Sequence, residues 1–265
     1  CLNSNIESLM KISIDNFDLQ KAFELSEILK IETRGLLTSE AICQKTAQVF
    51  HNTFIDINGE CEFSLCRVFK SCNQDELPED IKAYIKNTND DLERFENTKF
   101  LTLMGSFGEK DAWCDRRQSH SHKVISLQNP DVFKKLPMMS ALFDQIGFEF
   151  SNSVKSNDSI LLDKDDQEFG TFLVENAPGN SLIPQQENFV VPFKILSVLG
   201  LGGMFSNGNI FSLILFSKKH ISKEQANIFN CLGPSLKFTQ VEKELKRQIF
   251  TENPLDDEFE GNMEI

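Results

Sequence analysis

The chain has 265 residues, of which 40% are hydrophobic and 25% charged, and its formal net charge is −13. A field of this sign repels phosphate backbones and anionic lipid, and no apolar run reaches the roughly 18 residues that a membrane helix needs. We therefore expect a cytoplasmic protein that binds no nucleic acid and does not insert into a membrane.

The first 60 residues read as two helices followed by a turn. Residues 18–34 place Ala22, Leu25 and Leu29 at helical spacing, and Gly35 ends the pattern. A second helix begins at Thr38 or Ser39 and carries an apolar stripe, which comprises Ile42, Val49, Phe50 and Phe54. We divide the chain into an N-terminal helical segment (1–37), a main domain (38–250) and an acidic, disordered tail (251–265).

Strands dominate the next part of the sequence. Residues 62–69 alternate apolar and small polar side chains, which predicts a half-buried strand. A short helix follows Pro78 and runs to about Lys86, and residues 100–107 form the next strand. Residues 113–127 begin as a loop and become strand-like towards Leu127.

The C-terminal half contains a hairpin that precedes the long final helix. We predict a helix over 137–148, short strands at 159–162 and 169–175, and a hairpin around residues 206–208. Residues 210–216 are apolar on both faces, which indicates a central strand. Ser222 and Gln225 form a capping box. They open a helix that Gly233-Pro234 kinks and that continues through an apolar stripe, comprising Val241, Leu245 and Ile249.

These elements predict an α+β fold. Strands do not alternate regularly with helices, so a central antiparallel sheet covered by helices, with long N- and C-terminal helices, is favoured over a doubly wound sheet.

Two sequence features resemble known sites without matching them. The Gly200–Gly203 segment lacks a following Lys-Ser or Lys-Thr and a helix, so we interpret it as part of a bent strand and not as a phosphate loop. The seven cysteines are odd in number and lack paired zinc-finger spacing. We interpret them as reduced, inert thiols and predict no metal site.

The segment WCDRRQSHSHKVISL, residues 113–127, concentrates groups that carry chemistry. A thiol enzyme would need Cys114 beside a base, and Cys114, Asp115 and His122 are the only local set. No catalytic signature frames them, so we predict no enzyme activity. Non-covalent haem stays open, with four histidines as candidate proximal ligands: His51, His120, His122 and His220.

Residues 60–240 resemble a GAF-like sensory region of bacterial signalling proteins. The resemblance rests on W-x-x-R-x-x-S-x-x-H, here Trp113, Arg116, Ser119 and His122, and on the segments Phe189–Pro192 and Ser197–Gly203. It implies a GAF/PAS-like fold that dimerises through its terminal helices. It also implies readout by a histidine kinase or another output module of a two-component system.

The four motif residues are our candidate ligand site. A guanidinium, an imidazole, a hydroxyl and an indole in one loop suit an anionic or aromatic small molecule. The structural alternative is that Trp113 fills the core while Arg116 pairs with a carboxylate. A second hypothesis is a ligand-free interaction module that dimerises through the stripe at Val241, Leu245 and Ile249.

Overall fold

The computed structural model describes residues 11–87, 99–119, 123–127, 140, 169–183 and 185–251. The described helices are α1 (Leu19–Glu32), α2 (Ser39–Thr53), α3 (Glu79–Asn87), α4 (Lys223–Asn230) and α5 (Gly233–Leu245). The described strands are β1 (Phe63–Asn73), β2 (Lys99–Gly108), β3 (Val124–Ser126), β4 (Phe169–Val174), β5 (Ser197–Met204) and β6 (Ile210–Ser217). The helix predicted over 137–148, the strand predicted at 159–162 and the tail beyond residue 251 lie outside the described residues.

The helices begin where their sequences provide capping side chains. Asp18 accepts a hydrogen bond from the backbone N–H of Lys21 at the start of α1, and Thr38 does the same for α2. Ser222 and Gln225 cap α4 reciprocally, which confirms the predicted capping box. No helix in the described ranges is both long and apolar enough to cross a membrane.

Six strands form one sheet in the order β3-β2-β1-β6-β5-β4, and every neighbouring pair is antiparallel. Helices cover the sheet, so the predicted α+β fold with a central antiparallel sheet is confirmed. The hairpin of β5 and β6 is confirmed too, as is the central position of β6. Gly200–Gly203 lies within β5, as predicted.

Strand β1 differs from the prediction because it is buried on both faces. It lies between β2 and β6 at the centre of the sheet, where a half-buried strand was expected. Ser64, Lys70 and Ser71 are all fully buried. Polar side chains that suggested solvent contact are therefore covered by other parts of the chain.

The two faces of the sheet support two separate cores. Helices α1, α2, α4 and α5 pack on one face, where the buried residues include Leu25, Phe50 and Phe229. Leu25 and Leu29 of α1 belong to this same core, so the N-terminal helix packs with the domain that follows it. We call the opposite face the distal face; its core includes Phe69 and Ile214.

Helix α5 is shorter than the sequence suggested. It ends at Leu245, and Arg247 follows with a φ of 54°, which takes the chain out of the helix. Ile249 is buried against the helix-side core, whereas Leu245 is 74% exposed. The predicted continuous stripe of Val241, Leu245 and Ile249 is therefore wrong.

Candidate functional site

Strand register brings polar and small residues together on the distal face. Residues directly opposite one another in antiparallel strands have Cβ atoms about 5 Å apart on the same face. One row across β4, β5, β6, β1 and β2 consists of Phe172, Gly200, Ile214, Arg67 and Ser106. The next row consists of Gly170, Gly202, Ser212, Phe69 and Leu103.

Arg67 is a half-buried cation in the middle of the first row. Its Nη2 donates a hydrogen bond to Ser119 Oγ at 3.1 Å, and its Nε is buried without an acceptor in the described parts of the chain. Among the described residues it makes no ion pair. Burial lowers the pKa of Arg67 to about 10, so the guanidinium is still charged at neutral pH.

Two buried hydroxyls on the same face also lack partners. Ser106 lies directly opposite Arg67 on β2, and Ser212 lies in the neighbouring row on β6. Both side chains are fully buried, and neither Oγ has a hydrogen-bond partner among the residues that the structure describes. A buried polar group without a partner destabilises a fold by roughly 1–3 kcal/mol. With Arg67 Nε, three buried polar atoms on the distal face lack a partner among the described residues.

Glycines border these polar groups on the β4 and β5 side. Gly170, Gly200 and Gly202 occupy distal-face positions in the two rows, next to Ser212 and Ile214. They present no Cβ atoms there. Close approach of another group to a backbone is one reason why a strand interior carries glycine.

Trp113 borders the site on the side of β2. Its ring centroid lies 4.6 Å from that of Phe193 and 5.6 Å from that of Phe189. A Cβ atom placed on Gly108 would lie 3.0 Å from the indole, so the ring covers this end of β2 closely. Lys110 Nζ lies over both the Trp113 and Phe193 rings, at 5.3 and 4.5 Å from their centroids. The indole is thus part of an aromatic cluster next to the Arg67 row.

One side chain of α2 holds the Trp113 loop against the sheet. Gln44 Nε2 donates to the carbonyl oxygens of Ser106 and Cys114, at 2.9 and 2.8 Å. Gln44 Oε1 accepts from the N–H of Ser106 at 3.0 Å. This strand edge is beyond the reach of β3, which pairs only with Phe100, Leu101 and Thr102. The amide therefore supplies the hydrogen bonds that a neighbouring strand would otherwise make.

Arg116 does not join the distal-face residues. It is 2% exposed, and it donates from Nε to Glu40 at 2.6 Å and from Nη1 to Asp80 at 2.9 Å. Burial lowers its pKa, but the two carboxylates outweigh burial and the net shift is upwards. Arg117 also pairs with Glu40, which in addition accepts from the backbone N–H of Thr251. The charge of Arg116 is therefore neutralised within the chain, as the structural alternative proposed.

The structure thus separates the described residues of the predicted ligand site. Ser119 is buried and bonded to Arg67, and Trp113 lies beside the same face. Arg116 points to α2, while His120 and His122 lie outside the described residues. Of the other two histidines, His51 is buried against Phe107 and His220 is exposed.

The described thiols lie in different surroundings. Cys114 is half-buried and donates to the carbonyl oxygens of Gly108 and Lys110. Burial raises the pKa of Cys66 well above its usual range and that of Cys72 to about 12. The six described cysteines are not disulfide-bonded, and no cluster in the described ranges has the three ligands that would hold a metal ion.

Sequence reasoning missed Arg67, Ser106 and Ser212. A signal for Arg67 was present, because an arginine inside the apolar run of residues 62–69 is unusual for a strand at the centre of a sheet. The serines gave no signal, since their burial depends on the register of distant strands.

Comparison with known proteins finds structural likeness without sequence likeness. No protein-family model and no curated protein sequence matches the chain. A solved structure of the free methionine-R-sulfoxide reductase of Neisseria meningitidis, in complex with its substrate, is 10% identical with a TM-score of 0.49. That match covers 89% of this chain and 96% of the reductase chain.

A second solved structure is the GAF domain of a phosphoenolpyruvate-protein phosphotransferase from Coxiella burnetii. It is 8% identical, with a TM-score of 0.47, and the match covers 87% of this chain and 99% of that domain. At these TM-scores and identities, neither likeness assigns an activity or a ligand to this chain. The site described above is defined by its own residues.

Proposed function

We propose that this chain is a GAF-like sensory domain of the cytoplasm, which binds a small molecule on its distal face and acts by regulation and not by catalysis. One observation carries the proposal: Arg67 Nε, Ser106 Oγ and Ser212 Oγ are buried on one sheet face, and none of them has a partner in the described ranges. Buried polar atoms are nearly always hydrogen-bonded in folded proteins. A bound molecule that supplies the missing partners explains why these side chains are tolerated.

A buried ion pair connects the strand of Arg67 to a terminal helix. Lys70 of β1 is fully buried on the helix side of the sheet, where it pairs with Glu244 in the last turn of α5. Glu244 also accepts from the side chains of Asn207 and Asn209 in the hairpin turn. A shift of β1 on ligand binding would therefore move the end of α5. In this way the binding site could be coupled to an output module.

The terminal helices also carry exposed apolar residues. Phe23 of α1 and Phe238 of α5 are each 70% exposed, and the two helices are in contact. We propose that these helices form a homodimer interface and that a histidine kinase or another output module reads the change. If so, Phe23→Glu and Phe238→Glu should each shift the protein towards monomer in sedimentation equilibrium, whereas an unchanged mass would contradict the dimer.

Native mass spectrometry of the freshly purified full chain tests ligand binding. We expect an added small-molecule mass that is lost on unfolding, together with a change in Trp113 fluorescence, since Trp113 is the only tryptophan of the chain and lies beside the site. A visible absorption spectrum of the same sample tests the haem alternative.

A matched pair of variants tests whether the small molecule detected by mass spectrometry binds at the distal face. Ser212→Ala removes a buried hydroxyl that has no partner among the described residues. Ser217→Ala removes a buried hydroxyl at the end of the same strand, where it accepts from the N–H of Lys219. The bound fraction should fall in Ser212→Ala and persist in Ser217→Ala. Equal binding by both variants would place the ligand elsewhere.

A further inference from the structure

We infer that the distal-face site selects a small molecule carrying one carboxylate group, which is bound by Arg67, with an apolar body lying against the neighbouring rows. The inference rests on the proposed function and adds the chemical class of the ligand. It depends on the missing counter-ion of Arg67 and on the composition of the two rows.

Arg67 requires an anion more than it requires a neutral acceptor. A buried charge is normally paired, because its desolvation is offset only by an opposite charge and by hydrogen bonds. Within the described parts of the chain, the one hydrogen bond of Arg67 goes to the neutral hydroxyl of Ser119. In an acid-rich chain with 40 Asp and Glu residues, a carboxylate of the chain itself would be easy to provide. Since no carboxylate among the described residues pairs with Arg67, the inference assigns the anion to the ligand.

The number of donors fits a carboxylate better than a phosphate. A guanidinium presents paired N–H groups that match the two oxygens of a carboxylate, and one cation balances one negative charge. Ser106 lies directly opposite Arg67, so its hydroxyl can donate to the same group. Phosphate sites usually add a helix N-terminus or further cations, and Arg67 is the one cationic side chain in the two rows.

The rest of the two rows suits an apolar body. Beside Arg67 lie Ile214 in its own row and Phe69 in the next, while Gly200 and Gly202 carry no side chain. Ser212 is the remaining polar group there, and its unpartnered hydroxyl can bond one heteroatom of the ligand. The composition describes an apolar monocarboxylate with at most a small second polar group.

Small anions provide a test that does not depend on knowing the natural ligand. Thermal unfolding and Trp113 fluorescence of the full chain would be recorded in sodium formate, acetate, sulfate and chloride at equal ionic strength and neutral pH, with acetamide as the neutral match of acetate. We expect formate and acetate to raise the melting temperature saturably, beyond any effect of sulfate, chloride or acetamide. Arg67→Met should lower the apparent carboxylate affinity at least about tenfold, and Arg67→Lys should lie between.

Arg34→Met is the matched control, because Arg34 is exposed and the substitution removes the same charge. It should retain the full carboxylate response. Free of ligand, Arg67→Met should melt no lower than the wild type, since it removes a half-buried cation that has no counter-ion among the described residues. A less stable or unfolded Arg67→Met protein would show that the chain supplies the anion itself and would overturn the inference.

The remaining outcomes separate the inference from the proposed function. Equal stabilisation by sulfate or chloride, or a carboxylate response that survives in Arg67→Met, overturns the inference. Native mass spectrometry could instead show a neutral molecule that binds wild type and Arg67→Met equally well. This result would leave the proposed function in place and would overturn only the inference that the ligand is a carboxylate. If no small molecule binds the wild type at all, the proposed function fails and the inference fails with it.

Discussion

Two arginines of the described residues, the buried Arg116 and the half-buried Arg67, are in opposite situations. Arg116 meets two carboxylates, and the cluster around it joins α2, α3 and the segment after α5. Arg67 meets one hydroxyl and no carboxylate within the described ranges. The same side chain is therefore structural where its charge is neutralised and a candidate binding group where it is not. The partners of the two side chains, more than their burial, give them different roles.

The largest expected effect is on the Arg116 cluster. Arg116→Met leaves Glu40, which is 3% exposed, with only Arg117 and the Thr251 N–H as partners. Breaking a buried pair from one side destabilises a protein by about 3–5 kcal/mol. Urea unfolding of Arg116→Met beside Arg67→Met should show a large loss of unfolding free energy for the first and none for the second. Similar losses in both variants would remove the distinction between the two arginines.

The next largest loss of stability is expected at the Lys70–Glu244 pair. Like Arg116, Lys70 is a buried cation whose charge is neutralised within the chain. Glu244→Gln leaves the Lys70 ammonium buried without a counter-charge, so we expect a loss of a few kcal/mol in urea unfolding. Adding Lys70→Met to this variant should restore much of the loss, because no unpaired charge then remains. If the double variant is less stable than Glu244→Gln, the pair is not the source of the effect.

Removing the hydroxyls of Ser106 and Ser212 should change the free energy of unfolding in the opposite direction. Ser106→Ala and Ser212→Ala each delete a buried polar group without a partner, so ligand-free stability should be unchanged or higher, by up to about 1 kcal/mol. Ser39→Ala is the contrast, because Ser39 Oγ accepts a hydrogen bond from buried Lys70. It should be destabilising. Lower ligand-free stability in both Ser106→Ala and Ser212→Ala would show that their hydroxyls are satisfied by the chain.

The smallest effect on stability concerns His51. This side chain is buried like Arg116 but needs no counter-ion, because it can lose its proton. Burial lowers the pKa of His51 below its ordinary value of 6.5, so the folded protein holds the neutral imidazole. The unfolded chain takes up the proton first as the pH falls, and stability therefore declines below about pH 6.5. His51→Gln should weaken the dependence of the urea midpoint on pH between 7.5 and 5.5. An unchanged pH dependence would mean that His51 does not titrate differently in the two states.

Local signals in the sequence predicted the elements well. Asp18, Thr38 and Ser222 are capping residues whose effect is confined to one helical turn, so their positions are readable without tertiary information. The β5–β6 hairpin is similarly local. The fold class follows from such elements, and it is confirmed.

Partners distant in sequence were not predictable in the same way. Glu40 lies 76 residues before Arg116, and nothing in the sequence pairs them. Strand β1 was misjudged for the same reason, since the buried Lys70 is paired with Glu244, which lies 174 residues further along the chain in α5. The end of α5 was missed because Arg247 adopts a positive φ without a glycine to signal it.

Gln44 has an evolutionary consequence. Its side chain accepts from one peptide N–H and donates to two peptide carbonyls, so neither glutamate nor lysine at this position would replace it. Descendants of this gene that keep the loop of Trp113 should retain an amide here, whereas lineages that have lost the loop would be released from the constraint. An amide at position 44 thus marks the orthologues that keep the loop of Trp113.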